Sequence, residues 1–385
     1  MQSYLLASIV LLASLVSTGP AVAGAVYGVE ISPDGRHYAV LQDAGDQRAF
    51  AVYSVDDVSA KPVGIGVGSI GIEDFEWGGN DRLLLKVAGE KGGVRTNKGL
   101  KTLSVARWLS ISSTTGESKT LFGNERGVDY YYYLPDAGFL LSALPADNEN
   151  ALFARGYVAV KPSGPTRLKE GEDEFLLAVQ RVDLSSGASK LIADADRNTA
   201  DWVADADGAV VARIDQNAKS KEIRILAAPP GGGGLKEVGV IPGEVVEREK
   251  TVIFGLAGAD APRELTLLVE RDGVRRLALF NLDTGAISDG PQTPGPVTRA
   301  VYDPREARAR LVYYRTDRER AFHLDEADRK TQAALEKAVP GAAIAIVSKS
   351  LDGGRMIARA DYADKPEEYF LYDKAAKRLE LVASN

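Results

Sequence analysis

A polar turn, in most cases glycine-bearing, returns along this chain mostly at intervals of about 45 to 60 residues, the spacing of a four-stranded propeller blade, with a wider gap from about 115 to 186. Thr114-Thr115-Gly116-Glu117, Ser185-Ser186-Gly187 and Asp283-Thr284-Gly285 each follow a strand that ends in a polar residue. Val55 to Asp57, Pro229 to Gly234 and Lys374 to Arg378 stand at corresponding places. A second set of turns is of the Asp-Gly type: Pro33-Asp34-Gly35, Asp207-Gly208, Asp272-Gly273 and Asp352-Gly353-Gly354. Glycine accepts positive φ there and aspartate hydrogen-bonds its own turn backbone, so such sequences close hairpins.

Between the turns lie short runs rich in Val, Leu and aromatic residues, such as Tyr38 to Leu41, Leu83 to Val87, Val210 to Ile214 and Leu265 to Val269. These fit half-buried strands. The outer hairpins fall near residues 56, 115, 186, 231, 284 and 375, and a seventh place near residue 330 is filled by a helix. There Asp325 suits an N-cap, Ala327, Ala333, Ala334, Leu335 and Ala338 suit a helix, and Pro340-Gly341 ends it. The fold expected is all-β: a β-propeller of seven four-stranded blades over residues 24–385, with one short helix near 325–339 as an ornament on the penultimate blade. The polar stretch Lys161 to Glu174 reads as an exposed loop.

The first 23 residues read as an export signal. Leu5 to Val16 is almost unbroken apolar sequence, and Ala21-Val22-Ala23 gives the small-x-small pattern of a signal peptidase site. The run is shorter than the roughly 20 residues a spanning helix needs. Cleavage at Gly24 and a periplasmic or secreted chain, without a stable membrane span, are therefore expected. The sequence has no cysteine, which rules out disulfides, thiolate chemistry and a lipoprotein anchor. A formal charge of −7 argues against a nucleic-acid partner, which needs a surplus of Lys and Arg.

Several motifs in order carry a resemblance. Asp74-Phe75-Glu76-Trp77 is followed by Asn80-Asp81-Arg82-Leu83-Leu84. His323-Leu324-Asp325 leads into the helix, then Ser348-Lys349-Ser350-Leu351-Asp352-Gly353. Pro366 to Asp373 and Leu379 to Ala383 complete the series. Together they resemble the N-terminal propeller of the prolyl oligopeptidase family, in particular its exported, acylaminoacyl-peptidase-like members. That resemblance implies a propeller that gates substrate for an α/β-hydrolase domain carrying a Ser-Asp-His triad. No Gly-x-Ser-x-Gly nucleophile elbow occurs here: Gly66-Val67-Gly68-Ser69-Ile70-Gly71 has Val where the first Gly belongs. No catalytic residue of the family is carried over.

The remaining constellations have bland readings. Asp194, Asp196, Asp201, Asp205 and Asp207 miss the spacing of a calcium loop. Tyr130 to Tyr133 reads as packing, with ligand stacking as the alternative. Trp77, Trp108 and Trp202 read as blade-packing residues. Glu76 reads as solvated before a turn. Arg305, Arg308, Arg310, Arg315, Arg318 and Arg320 read as solvated strand faces, the alternative being a carboxylate site at one mouth. Gly89 to Gly93 reads as a hairpin loop. His37 and His323, the two histidines, read as ordinary strand residues. No catalytic, cofactor or metal residue is assigned.

Three functions stay open: a non-catalytic peptide- or protein-binding module, one half of a split serine peptidase served by a separately encoded hydrolase, and a propeller enzyme with converging carboxylates.

Overall fold

The structure, a computed structural model, describes residues 24–57, 60–68, 71–96, 99–122, 131–133, 138–159, 174–258 and 261–385. Their backbone forms seven successive antiparallel meanders in six sheets, blades 5 and 6 being joined by one parallel bridge between Leu256 and Arg308: blade 1 (26–68), blade 2 (71–120), blade 3 (139–193), blade 4 (199–241), blade 5 (252–289), blade 6 (297–323) and blade 7 (343–384). Each unit is a meander in which consecutive strands pair. The first strands are Val26–Ile31, Gly71–Trp77, Phe139–Ser142, Thr199–Ala204, Val252–Leu256, Val297–Asp303 and Ala343–Lys349. They lie innermost: those of blades 3 to 6 approach one another in succession, as do those of blades 7, 1 and 2.

The all-β propeller expected from the turn spacing is thus observed, with one refinement of strand count. Blade 6 has three strands, and the place of its fourth is taken by helix α2 (Glu326–Ala338). Asp325 caps that helix, its carboxylate accepting from Ala327 N. Leu335 of α2 is buried against Ile344, Met356 and Phe370 of blade 7, so the helix also covers the last blade. Blade 3 gains an extra short strand, Tyr131–Tyr133, paired with its second strand. Those tyrosine side chains, Tyr130 and the loop read at Lys161 to Glu174 lie outside the described residues, Glu174 itself excepted, which opens a strand of blade 3. So does the signal segment.

The glycine-bearing turns have a common geometry. In blades 3 and 5, Asp183 Oδ1 and Asn281 Oδ1 accept backbone N–H groups two and three residues ahead, and glycine closes the turn at φ 75° and 70°. A Cβ at Gly187 would sit 2.5 Å from Thr120 O, and one at Gly285 would sit 2.1 Å from Val238 O. The glycines are needed because each turn presses on the backbone of the preceding blade.

The core is a ring of inter-blade layers rather than one centre. Phe50 and Ile65 meet Trp77 and Leu85 between blades 1 and 2. Trp108 meets Phe153 between blades 2 and 3, and Leu152 and Val179 meet Trp202 between 3 and 4. Ile225 meets Phe280, Leu268 meets Val312, and Leu311 meets Ala345 at the next three boundaries. Val29 and Ile31 meet Tyr369 and Leu371 at the last. Each such side chain contributes about 1.5–3 kcal/mol when fully buried. The tryptophans are blade-packing residues, and each indole N–H donates to a backbone carbonyl: Trp77 to Glu30, Trp108 to Gly138 and Trp202 to Leu177.

Among the described residues blades 1 and 7 exchange no strand, and side chains and turns join them. Asn385 Oδ1 accepts from Val26 N at 2.5 Å, and its Nδ2 donates back to Val26 O at 3.1 Å. Leu351 N donates to Pro33 O, and Arg355 donates to Gly35 O and pairs with Asp56.

Two local expectations are corrected. Gly89 to Gly93 is no loop: it lies within the strand Arg82–Thr96, whose pairing with Gly99–Ser112 runs to Thr96 and Gly99. Glycine weakens a strand but leaves both backbone groups free to pair, and a bulge between Lys91 and Val94 absorbs the irregularity. A second helix, α1 (Gly243–Glu249), was not anticipated. No helix among the described residues is long and apolar enough to cross a membrane.

Candidate functional site

The inner strands end at one place, and there the tight turn of blade 6 runs into the middle of the ring. Tyr302 OH donates to Leu141 O, and Ala143 N donates to Pro304 O at 2.8 Å. Both acceptor and donor belong to blade 3, which stands opposite blade 6 in a seven-membered ring. Arg305 then reaches blades 1, 2 and 7. Its Nη1 donates to Ile31 O (3.1 Å), Ser348 Oγ (2.9 Å) and Lys349 O (3.3 Å). Its guanidinium pairs with Glu76 (3.2 Å), Glu30 (3.5 Å) and Asp303 (3.5 Å). A Cβ on Gly255 of blade 5 would meet the Tyr302 ring at 2.9 Å. The four residues 302–305 therefore form a hub that touches blades 1, 2, 3, 5 and 7.

The hub's electrostatics follow from burial. Arg305 is 3% exposed, Asp303 2% and Glu76 11%. Burial opposes the Asp303 charge, yet Arg305 and Arg310 hold its carboxyl well below the usual range; Arg310 pairs with it at 3.0 Å. Burial pushes Glu76 well up, Arg305 opposes this, and the neighbouring Glu30 and Asp303 add to it. Glu30 is raised by burial too, against the pull of Arg305 and Arg310. Three carboxyls thus face two guanidiniums, and burial together with this excess of acid raises both glutamates, Glu76 furthest.

These findings correct two sequence readings. Glu76 is not solvated, and Arg305 and Arg310 are not on solvated faces. Arg315 is exposed, Arg318 and Arg320 are half-exposed, and Arg308 pairs with Glu306. The arginines do not gather at a mouth. What brings Glu30, Glu76, Asp303 and Arg305 together is the convergence of strand ends from three blades, which no local pattern announces.

Beside the hub, Lys349 bridges Glu306 and Asp328, both at 2.8 Å, tying blade 7 to the blade 6 turn and to α2. His323 lies under this bridge, its Nε2 accepting from Ile346 N at 3.2 Å. Burial, with Arg310, Lys349 and Arg329 nearby, drives its imidazole down to about 3. The folded protein holds His323 neutral, whereas the unfolded chain binds a proton near 6.5. This group's stabilisation is present above about pH 6.5 and lost as pH falls towards 3, at up to about 1.4 kcal/mol per unit. Denaturant titrations at pH 7.5 and 5.0 should give a smaller acid loss for His323→Gln than for the parent; equal losses would remove His323 as the cause. Like His37, it is a strand residue, and neither imidazole bonds a serine or threonine hydroxyl among the described residues.

The aspartates read in sequence are dispersed. Asp194 accepts from Tyr157 OH, Asp196 accepts from Asn198 N, and Asp205 accepts from the turn N–H groups of Asp207 and Ala209. Asp201 faces the Tyr302 side of the hub, where burial pushes its carboxyl up to about 6. No group of metal-ligating side chains gathers among the described residues.

Two cavities flank the hub. One of about 800 Å³ lies at the turn face, among Asp205 to Val211, Pro229 to Gly233, Arg263 and Arg308. The other, of about 390 Å³, opens between the inner strands of blades 1, 2 and 7, and Glu30 forms part of its wall. Exposed apolar side chains, Tyr27, Phe139 and Val252, stand at the strand starts on the side away from the hub.

No family model and no curated protein matches the sequence. Among solved structures it is similar to a prolyl endopeptidase, at 14% identity over 94% of this chain and 41% of that one, with a TM-score of 0.41. It is also similar to puromycin hydrolase, at 12% identity over 93% of this chain and 53% of that one, with a TM-score of 0.48. An oligogalacturonate lyase in complex with manganese matches at 12% identity over 78% of this chain and 77% of that one, with a TM-score of 0.45. The chain thus spans about two fifths to three quarters of these proteins' lengths.

Proposed function

We propose that this chain is an exported, non-catalytic propeller that binds peptides. The observation that supports this reading over a substrate gate is the hub. A gate needs an open passage through the ring, and residues 302–305 instead join blades 1, 2, 3 and 7 through hydrogen bonds and a buried ion cluster. The cavity of about 390 Å³ beside this hub is walled in large part by inner strands, and such a cavity suits holding a ligand. The alternative, a propeller half of a split serine peptidase, is favoured by the order of the motifs that resemble the prolyl oligopeptidase family. In that case a separately encoded hydrolase docks on the ring and hydrolysis belongs to the complex.

Two measurements on the exported protein separate the readings. Fluorescently tagged peptides should bind the purified chain saturably, and a fluorophosphonate serine-hydrolase probe should leave it unlabelled. Failure of peptides of every charge and length to bind would remove the module reading. Probe labelling abolished by one serine substitution would show a catalytic site.

A further inference from the structure

We propose that the cavity between blades 1, 2 and 7 is a site for a short peptide with both termini free, Asp74 taking the ammonium and Arg48 the carboxylate. This rests on the peptide-binding reading and narrows it to one cavity and one ligand class. The cavity, about 390 Å³, falls within the roughly 300–1,000 Å³ of small-molecule sites.

The argument is a charge balance around its wall. Five charged side chains line it: Glu30, Glu73, Asp74, Arg48 and Arg359. Three already have an ion-pair partner. Glu30 pairs with Arg305 of the hub at 3.5 Å. Glu73 pairs with Lys86, also at 3.5 Å. Arg359 pairs with Asp361 at 3.1 Å and with Glu367 at 3.7 Å, and donates to Tyr313 OH. Two remain, one of each sign. Asp74 accepts the N–H of Phe75 and feels Lys86 at longer range, but forms no ion pair among the described residues. Arg48 lies over the Tyr27 ring, 4.0 Å from its centroid, and no carboxylate pairs with it among the described residues.

Asp74 keeps access to solvent, yet the surrounding protein raises its carboxyl, and Lys86 offsets this only in part. A ligand ammonium would relieve that cost. The planar guanidinium of Arg48, held in place by the ring, can meet a carboxylate through two parallel hydrogen bonds. Aromatic side chains Tyr27, Phe75 and Tyr369 complete the wall and suit an apolar ligand side chain. A ligand with a single charge leaves one of the two unmet, and an uncharged ligand leaves both.

Calorimetry with the dipeptide Phe-Ala, its N-acetylated form and its C-amidated form tests this on the full mature chain. The free dipeptide should bind, and each cap should weaken binding tenfold or more. In Asp74→Asn the acetyl cap should lose its effect while the amide cap keeps it; in Arg48→Gln the pattern should reverse. Equal binding of capped and free forms by the parent overturns the proposal, and this arm needs no variant to fold. Variants that discriminate as the parent does also overturn it. If longer peptides bind while Phe-Ala does not, the terminal-recognition idea fails and the peptide-binding reading stands; if nothing binds, both fail.

Discussion

Arg305→Ala should lower the stability of the ring by about 3–5 kcal/mol, the usual cost of removing one partner from a buried ion pair. At about 2–4 °C per kcal/mol this is on the order of 10 °C in melting temperature. The loss has two parts. Glu30, Glu76 and Asp303 are left facing one another with Arg310 as the cation beside Asp303. Three hydrogen bonds that hold blade 6 to blades 1 and 7 also vanish. The pH dependence identifies the cause. Glu76 and Glu30 have raised folded-state values, so above about pH 4.5 the folded form holds protons that the unfolded chain releases. Their unfavourable contribution therefore grows as pH rises from 4.5 through those raised values and shrinks as it falls. The deficit of Arg305→Ala should be smaller at pH 5 than at pH 7.5, and Glu76→Gln on that background should restore part of the loss. Thermal melts of the three proteins decide it. An Arg305→Ala melt within about 2 °C of the parent would mean that the hub holds nothing.

Removing residues 369–385 should be still more damaging. That segment supplies nearly all of the two outer strands of blade 7. It carries Tyr369, Leu371, Val382 and Ala383 of the seam with blade 1, and Phe370 from beneath α2. It also ends in Asn385, whose amide closes the ring on Val26. Without it the third strand's partner edge and the apolar face of blade 1 are bare, which invites pairing between molecules. A fold worth typically about 5–15 kcal/mol does not survive such a loss, so the truncated chain should aggregate on size-exclusion chromatography. Asn385→Ala, which deletes only the latch, should cost about 1–2 kcal/mol and remain monomeric. A truncated chain that is monomeric with the parent's melting temperature would show that the seam lies elsewhere.

Seven blades were legible in the sequence because their signals are local. Ser185-Ser186-Gly187 closes its turn with atoms a few residues apart, and Asp325 caps α2 two residues ahead. The hub was not legible, for the complementary reason. Glu76 lies next to a turn and Arg305 sits in a charged series, so each taken alone resembles a surface residue. Their burial comes from meeting partners such as Ile31, 274 positions from Arg305. Helix α1 was hidden by Pro242-Gly243, which reads as a breaker, although proline as N-cap donates nothing the helix needs. Asp74 stood in a recognised strand motif and Arg48 just outside the run from Phe50, and that neither has an ion-pair partner among the described residues appears only when every neighbouring ion pair is assigned.

The hub also sets the order in which this molecule can be made. Blades 1 to 5 emerge from synthesis before the turn that will join them, and the contacts from Arg305 to Ile31 and from Asn385 to Val26 close loops of 274 and 359 residues. Long loops close slowly and reward the chain only at the end. Five blades must wait with their apolar flanks uncovered, exposed to one another and to neighbours in transit. Once the last strand is in, the same topology works in reverse: no blade can leave without first undoing the centre. The chain should therefore be slow to fold, prone to aggregate while young, and slow to unfold once complete.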